Sequence, residues 1–197
     1  MERNNLYPIF LKVHQLETLI VGGGNVALEK LTFLLKSSPH ANVTMVAKSF
    51  LSEIRALAIQ YDVNLIDLAY DRSFLVDKHI VIAATDHAAV NKQIHHDAKS
   101  KHLLVNVADT PKLCDFYLGG IVTKGNVKIA ISTNGKSPTM AKRLRQFFEQ
   151  VLPEEIDKLA INLNKYRNDI KGDFNQKVKE LNALTKDLII EKEKLPK

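Results

Sequence analysis

The sequence predicts an open, mainly parallel α/β sheet, and three observations predict it. An apolar stretch at residues 16–21 runs into Gly22-Gly23-Gly24 and then into an amphipathic segment at 26–35, the order strand, glycine turn, helix. Strand-like and helix-like segments keep alternating as far as residue 107. The apolar run at 80–84 is continuous, and 103–107 reads as another buried strand, as expected for strands covered on both faces. With 197 residues, 45% of them hydrophobic, the chain can bury roughly 70% of its unfolded surface without a disulfide or structural zinc.

Taken in order, residues 42–46 are β-rich, 52–59 helical, 64–68 a further strand and 90–98 a helix. The pattern changes after Asp109. Gly119-Gly120, the pair Ile121-Val122, the turn Lys124-Gly125-Asn126 and residues 127–132 predict a β-hairpin. Ser137-Pro138 supplies an N-cap and a first-turn proline for a helix over about 139–150. From Pro153 onward, Ile156, Leu159, Leu163, Tyr166, Ile170, Phe174, Val178, Leu181, Leu184 and Leu188 recur at spacings of three or four, a helical stripe broken near Gly172. The expected division is 1–113, 114–150 and 151–197.

Cys114 is the only cysteine, so no internal disulfide forms, and a reducing, cytoplasmic setting is expected. Residues 1–10 do not read as a secretory signal, and no apolar run approaches the ~20 residues of a membrane span. The net charge of +6 points to an anionic partner. All but one unit of the excess lies before residue 151, there is no polybasic tail, and no helix-turn-helix or RNA-binding signature accompanies the charge, so nucleic acid is not the expected partner.

Gly22-Gly23-Gly24-Asn25-Val26-Ala27 fits the G-x-G-x-x-A form of the dinucleotide fingerprint, with a strand before it and a helix after it. Gly22 would permit the tight turn, Gly24 the approach of a pyrophosphate, and Ala27 close packing of helix on sheet. An acid that would bind the adenosine ribose is expected about 20 residues on. Ala47-Lys48-Ser49 stands there instead, so choice between NAD and NADP stays open. Thr85-Asp86 follows the strand at 80–84, where ligands bind in such sheets, and Asp86 is equally suited to cap the next helix. Asp109 occupies the same edge after the strand at 103–107, placed either for a general base or to start a turn before Thr110-Pro111.

Thr133, Asn134, Gly135, Lys136 and Ser137 put a glycine turn, hydroxyls and a lysine at a helix start, where free backbone donors suit carboxylates or phosphates. Gly135-Lys136-Ser137 is not a nucleoside-triphosphate loop, because Ala130 stands where its first glycine belongs. His79, His87, His95, His96 and His102 have no metal-ligand spacing, and Cys114 reads as a structural thiol; no metal site is expected. No tyrosine is followed four positions later by lysine, against a short-chain-dehydrogenase site.

With Tyr7-Pro8-Ile9-Phe10, Val21 to Gly24, Ala83-Ala84-Thr85-Asp86, Asn106-Val107-Ala108-Asp109, Cys114-Asp115-Phe116 and residues 132–138 in this order, the chain resembles the precorrin-2 dehydrogenase family, also found as the N-terminal module of multifunctional siroheme synthases. The resemblance covers about 150 residues. It implies a Rossmann domain, a small β-containing dimerisation region at 114–150, a helical C-terminal region and an intertwined homodimer. It implies NAD-dependent oxidation of precorrin-2 to sirohydrochlorin, with Asp109 as the base, and in some relatives insertion of Fe2+ by the same aspartate. Together with the fingerprint reading, the candidate cofactor residues are Gly22, Gly23, Gly24, Asn25, Val26, Ala47, Lys48, Thr85 and Asp86; Thr133, Gly135, Lys136 and Ser137 would meet the carboxylate-rich substrate. Thr133 stands where some relatives carry serine, and the 197 residues leave no room for the methyltransferase domain of the multifunctional enzymes. A non-catalytic NAD(P)-sensing module is the alternative.

Overall fold

In the computed structural model, which describes residues 4–186, strands β1 (Glu17–Val21), β2 (Asn42–Val46), β3 (Asn64–Ile66), β4 (Ile80–Ala83) and β5 (Leu104–Val107) pair in parallel in the order β3-β2-β1-β4-β5. The register decides where the loops emerge. Val21 lies opposite both Val46 and Ala83, and Ala83 lies opposite Val107, so Gly22, Ala47, Ala84 and Ala108 leave the sheet along one edge. The order reverses at β1, which makes the β1–β4 boundary a topological switch point, with a crevice outside the carboxyl ends.

Alternation along the strands builds two cores. Ile20, Met45 and Ile82 face helices α1 (Asn25–Ser37) and α2 (Ser52–Tyr61), where they pack with Ala27, Leu31, Leu35, Ile54 and Ala58. Leu19, Val21, Val81, Ala83, Val105 and Val107 face the other way, onto Ile94 and Ala98 of α3 (Ala88–Ser100). Both faces are covered, which is why β4 reads as an unbroken apolar run and β5 as one interrupted only by Asn106. The expected strand at 64–68 stops at Ile66, and Asp67 is drawn into an ion pair with Arg55. Two single 3-10 turns, Arg72–Leu75 before β4 and Pro111–Leu113 after β5, were not foreseen.

Beyond the sheet, β6 (Gly120–Lys124) and β7 (Val127–Ile131) form the expected hairpin, followed by α4 (Pro138–Val151), α5 (Ile156–Asp169) and α6 (Phe174–Thr185). Ser137 caps α4, its hydroxyl accepting from Met140 N at 3.1 Å, with Pro138 as the first helical residue. The hairpin turn is held by Asp157, whose carboxylate accepts from Asn126 N at 2.7 Å and Asn126 Nδ2 at 2.8 Å. The helical stripe breaks where expected: Gly172 has φ +130° and Asp173 caps α6 by accepting from Gln176 N. Its last expected member, Leu188, lies outside the described residues, as do Met1, Glu2 and Arg3. The chain divides into two compact units, one of residues up to 120 with 130–142 and one of 121–129 with 143 onward. Among the described residues no helix is long and apolar enough to cross a membrane.

Candidate functional site

The turn between β1 and α1 is shaped by what glycine lacks. A Cβ on Gly22 would overlap the Ala84 carbonyl oxygen, and one on Gly23 would overlap that of Ser49. Gly22 has φ +138° and donates its N–H to Val46 O at 2.9 Å, while Gly23 O accepts from Leu51 N at 3.0 Å. These two glycines let neighbouring loops close on the turn. Gly24 differs: nothing stands within 4 Å of where its Cβ would be. As N-cap of α1 it contributes no side-chain capping bond, and the first turn of α1 holds no acidic residue. The donors at this helix end therefore face open space with no carboxylate competing for them, a favourable field for an anion.

A cleft of about 1060 Å³ runs from here along the carboxyl edge of the sheet. Every residue expected to meet a cofactor lines it: Gly22, Gly23, Gly24, Asn25, Val26, Ala47, Lys48, Thr85 and Asp86. Asp109 lines it too, at the β5 side. On the β4 side Thr85 is held by buried Asn91 of α3, a partner the sequence did not single out. Thr85 Oγ1 donates to Asn91 Oδ1 at 2.6 Å, and Asn91 Nδ2 donates to Thr85 O at 2.9 Å. Asp86 is not the cap of α3. That position falls to His87, whose N–H is taken by Thr85 Oγ1 at 3.2 Å, and the Asp86 side chain is 89% exposed. No side chain caps α3; the Thr85 hydroxyl instead fixes the backbone of the cap residue itself.

Asp109 sits at the tip of a loop fastened at both feet. It adopts φ +56°, a left-handed conformation that aspartate tolerates better than most residues. Behind it the chain makes a 3-10 turn and returns along the outer edge of β5, where Asp115 N donates to Val105 O at 2.8 Å and Asp115 Oδ2 accepts from Val105 N at 3.0 Å. Asn106, 6% exposed in an otherwise apolar strand, donates from Nδ2 to Phe116 O at 2.8 Å. Cys114 Sγ accepts from Val107 N and donates to Val107 O, both at 3.3 Å. Burial raises the Cys114 thiol above its ordinary range, so it stays protonated and able to donate at neutral pH. The thiol is a structural clasp, as expected.

A family model described as "Putative NAD(P)-binding" matches residues 9–120, more than half of the chain. The chain belongs to this NAD(P)-binding family. A second model, described as "Sirohaem biosynthesis protein central", matches residues 124–150. The chain is 41% identical over 168 residues to a siroheme synthase of Psychrobacter cryohalolentis, covering 85% of this chain and 32% of that one. It is 38% identical over 173 residues to a siroheme synthase of Pseudoalteromonas atlantica, covering 88% and 37%. The chain thus spans about a third of the length of these curated relatives. Among solved structures it is similar to "SirC, precorrin-2 dehydrogenase", with TM-score 0.73 and 23% identity over 91% of this chain and 89% of that one, a likeness of fold.

In this NAD(P)-binding chain the glycine cradle fits the group the family binds: Gly22 and Gly23 are filled by the protein's own backbone, and only Gly24 leaves an open approach to the helix donors. Asn25 and Val26 are exposed at that helix end, and Lys48 is the exposed cation at the end of β2. The second group of expected residues lies elsewhere. Thr133, Gly135, Lys136 and Ser137 occupy the loop between β7 and α4 and do not line the cleft. There the Thr133 hydroxyl accepts from Ser137 N at 3.3 Å and donates to Ser137 O at 3.1 Å, and Gly135, at φ +72°, has open space beside it. Among the described residues no three His, Cys, Asp or Glu side chains gather as a metal would require.

The loop fastening has a pH signature. Burial opposes ionisation of Asp115, but hydrogen bonds from Lys99 and Val105 N, with the charges of Lys99 and His95, outweigh it and hold the carboxyl below its ordinary value. A folded-state pKa below the unfolded one contributes stability that is present above the unfolded value and lost as pH falls through the folded one. Asp115→Ala is expected to destabilise by about 1–2 kcal/mol near neutrality. In chemical denaturation the difference from wild type should narrow as pH falls below about 4; a difference that widens in acid would contradict this.

Proposed function

We propose that the chain catalyses NAD-dependent oxidation of precorrin-2 to sirohydrochlorin, a step in siroheme formation, with Asp109 as the base. The observation that supports this most is Asp109 at the β5 side of the same cleft that has the Gly22–Gly24 turn at its centre. The relatives' names supply the substrate class. When bound, the nicotinamide supplies a hydride acceptor. The rest belongs to the protein. Gly24 and the α1 N-terminus hold the pyrophosphate, and Thr85, fixed by Asn91, lines the wall beside it. Asp109 takes the proton that leaves the substrate carbon skeleton as the hydride departs, so two hydrogens and two electrons are removed together. Thr133, Gly135, Lys136 and Ser137, at the start of α4, meet substrate carboxylates.

The same reading makes residues 1–113 the nucleotide-binding domain, 114–150 a dimerisation region and 151–197 a helical region, in a cytoplasmic homodimer. Helix α4 supports it by leaving Met140, Phe147 and Val151 exposed on one face at 56%, 54% and 52%. Light scattering on the purified chain is expected to give twice the monomer mass.

Insertion of ferrous iron into the product is a second activity of this reading, supported by relatives named for siroheme synthesis as a whole. One anaerobic assay tests both. Precorrin-2 is supplied with NAD or NADP and sirohydrochlorin is followed by its absorbance, after which Fe2+ is added. Sirohydrochlorin must appear in the first stage; its absence with both cofactors overturns the proposal and leaves a nucleotide-sensing module. Siroheme in the second stage, above the rate without protein, is the expected outcome, and no such excess removes the chelatase half.

A further inference from the structure

Tyr70 lines the cleft without belonging to any motif the sequence displays. It stands between the end of β3 and the 3-10 turn, and both ends of its side chain are held. The side chain packs against the core that faces α3, and the hydroxyl donates at 3.2 Å to Asp97 Oδ2, a carboxylate on α3 that is 7% exposed. Asp97 is braced in turn: Ser100 Oγ donates to its carbonyl at 2.7 Å and receives Arg72 at 2.8 Å, which ties the 3-10 turn to α3. Burial, then the charge of Asp97, raises the Tyr70 hydroxyl above its ordinary range, so it remains a neutral donor committed to that carboxylate. What Tyr70 offers the cleft is its ring.

The position of that ring along the cleft is informative. The adenosine half of a dinucleotide lies over the end of β2, where a carboxylate ordinarily takes the ribose hydroxyls. Here the wall on that side runs from Ala47 through Lys48 to Leu51 and from Leu68 to Tyr70, and among the described residues the only acidic ones lining the cleft, Asp86 and Asp109, follow β4 and β5. Asp67, just past β3, is paired with Arg55. The side that should bind adenosine therefore has no carboxylate and two aromatic residues: Phe50, which is 9% exposed, packed in the core and covered by Arg55, and Tyr70, immobilised through its hydroxyl.

We propose that Tyr70 is the contact residue for the adenosine half of the cofactor, doing by contact with the base what a ribose-binding carboxylate does in other dinucleotide sites. This rests on the reading of the cleft as a dinucleotide site. Affinity on this side then depends on the base.

Calorimetric titration of the full chain with NAD, NADP, AMP and nicotinamide mononucleotide tests it. Tyr70→Leu, which keeps apolar bulk and removes the aromatic face, is expected to weaken NAD and AMP roughly tenfold and leave nicotinamide mononucleotide unchanged. Tyr70→Phe keeps the ring and loses only the bond to Asp97, and should stay within about threefold of wild type. If Tyr70→Leu shifts nicotinamide mononucleotide rather than AMP, or shifts neither while melting as wild type does, the proposal is wrong. Should Tyr70→Leu not fold, Tyr70→Phe still decides: AMP affinity within about threefold of wild type supports the ring as the contact, and a loss of roughly tenfold assigns the effect to the hydroxyl and overturns the proposal. Wild-type protein that binds none of the four ligands would instead overturn the cofactor reading itself.

Discussion

Asp109→Asn is expected to abolish most dehydrogenase turnover, by about 10²- to 10⁴-fold, while leaving NAD affinity within a few-fold of wild type. The choice of asparagine follows from the backbone. Asp109 is held at φ +56°, a conformation that asparagine shares with aspartate and that alanine does not favour. The fold should therefore be undisturbed, and the thermal midpoint should match wild type. Asparagine removes the negative charge and the ability to accept a proton, which are the two properties the proposed chemistry uses. The separation of turnover from binding also distinguishes an enzyme from a sensing module, since a sensor would keep its output in this variant. Turnover within threefold of wild type would remove Asp109 from the reaction.

Two substitutions two residues apart should behave in opposite ways. Gly22→Ala places a Cβ on the Ala84 carbonyl oxygen at a φ of +138°, which alanine does not adopt, and should destabilise the chain by about 2–4 kcal/mol or prevent folding. Gly24→Ala meets nothing within 4 Å and has an ordinary extended backbone, so stability should change by less than about 0.5 kcal/mol. The added methyl then stands where a pyrophosphate must approach the helix donors, and NAD affinity should fall tenfold or more. Denaturation curves and binding titrations on both variants give the comparison. If Gly24→Ala binds NAD as wild type does, the anion does not use this helix end.

Much of this arrangement was legible in the residues. The glycine turn announced itself because its spacing has a steric cause, and the continuous apolar run of β4 announced a sheet covered on both faces. Asp109 was placed at the right edge because parallel strands all end on one side, and the register did the rest. Other features depend on residues that meet only after folding. Asn91 reaches back to Thr85 across the first turn of α3, a pairing with no recurring pattern, and the cap that Asp86 was suited to fill falls to His87, with no side-chain bond. Asn106, Asp115 and Cys114 were visible as parts of a resemblance, but their common task appears only once the loop returns along the free edge of β5. Tyr70 gave no signal, because the 3-10 turn that positions it is too short to impose a periodicity.

The central claim is that the dinucleotide lies across the Gly22–Gly24 turn and extends toward Asp109. Amide hydrogen exchange of the chain with and without saturating NAD tests it most directly. The account predicts slowed exchange in two peptides, one spanning 22–28 and one spanning 85–91, with the α5 region at 156–169 unchanged. Exchange at 22–28 that is the same with and without bound NAD would contradict it.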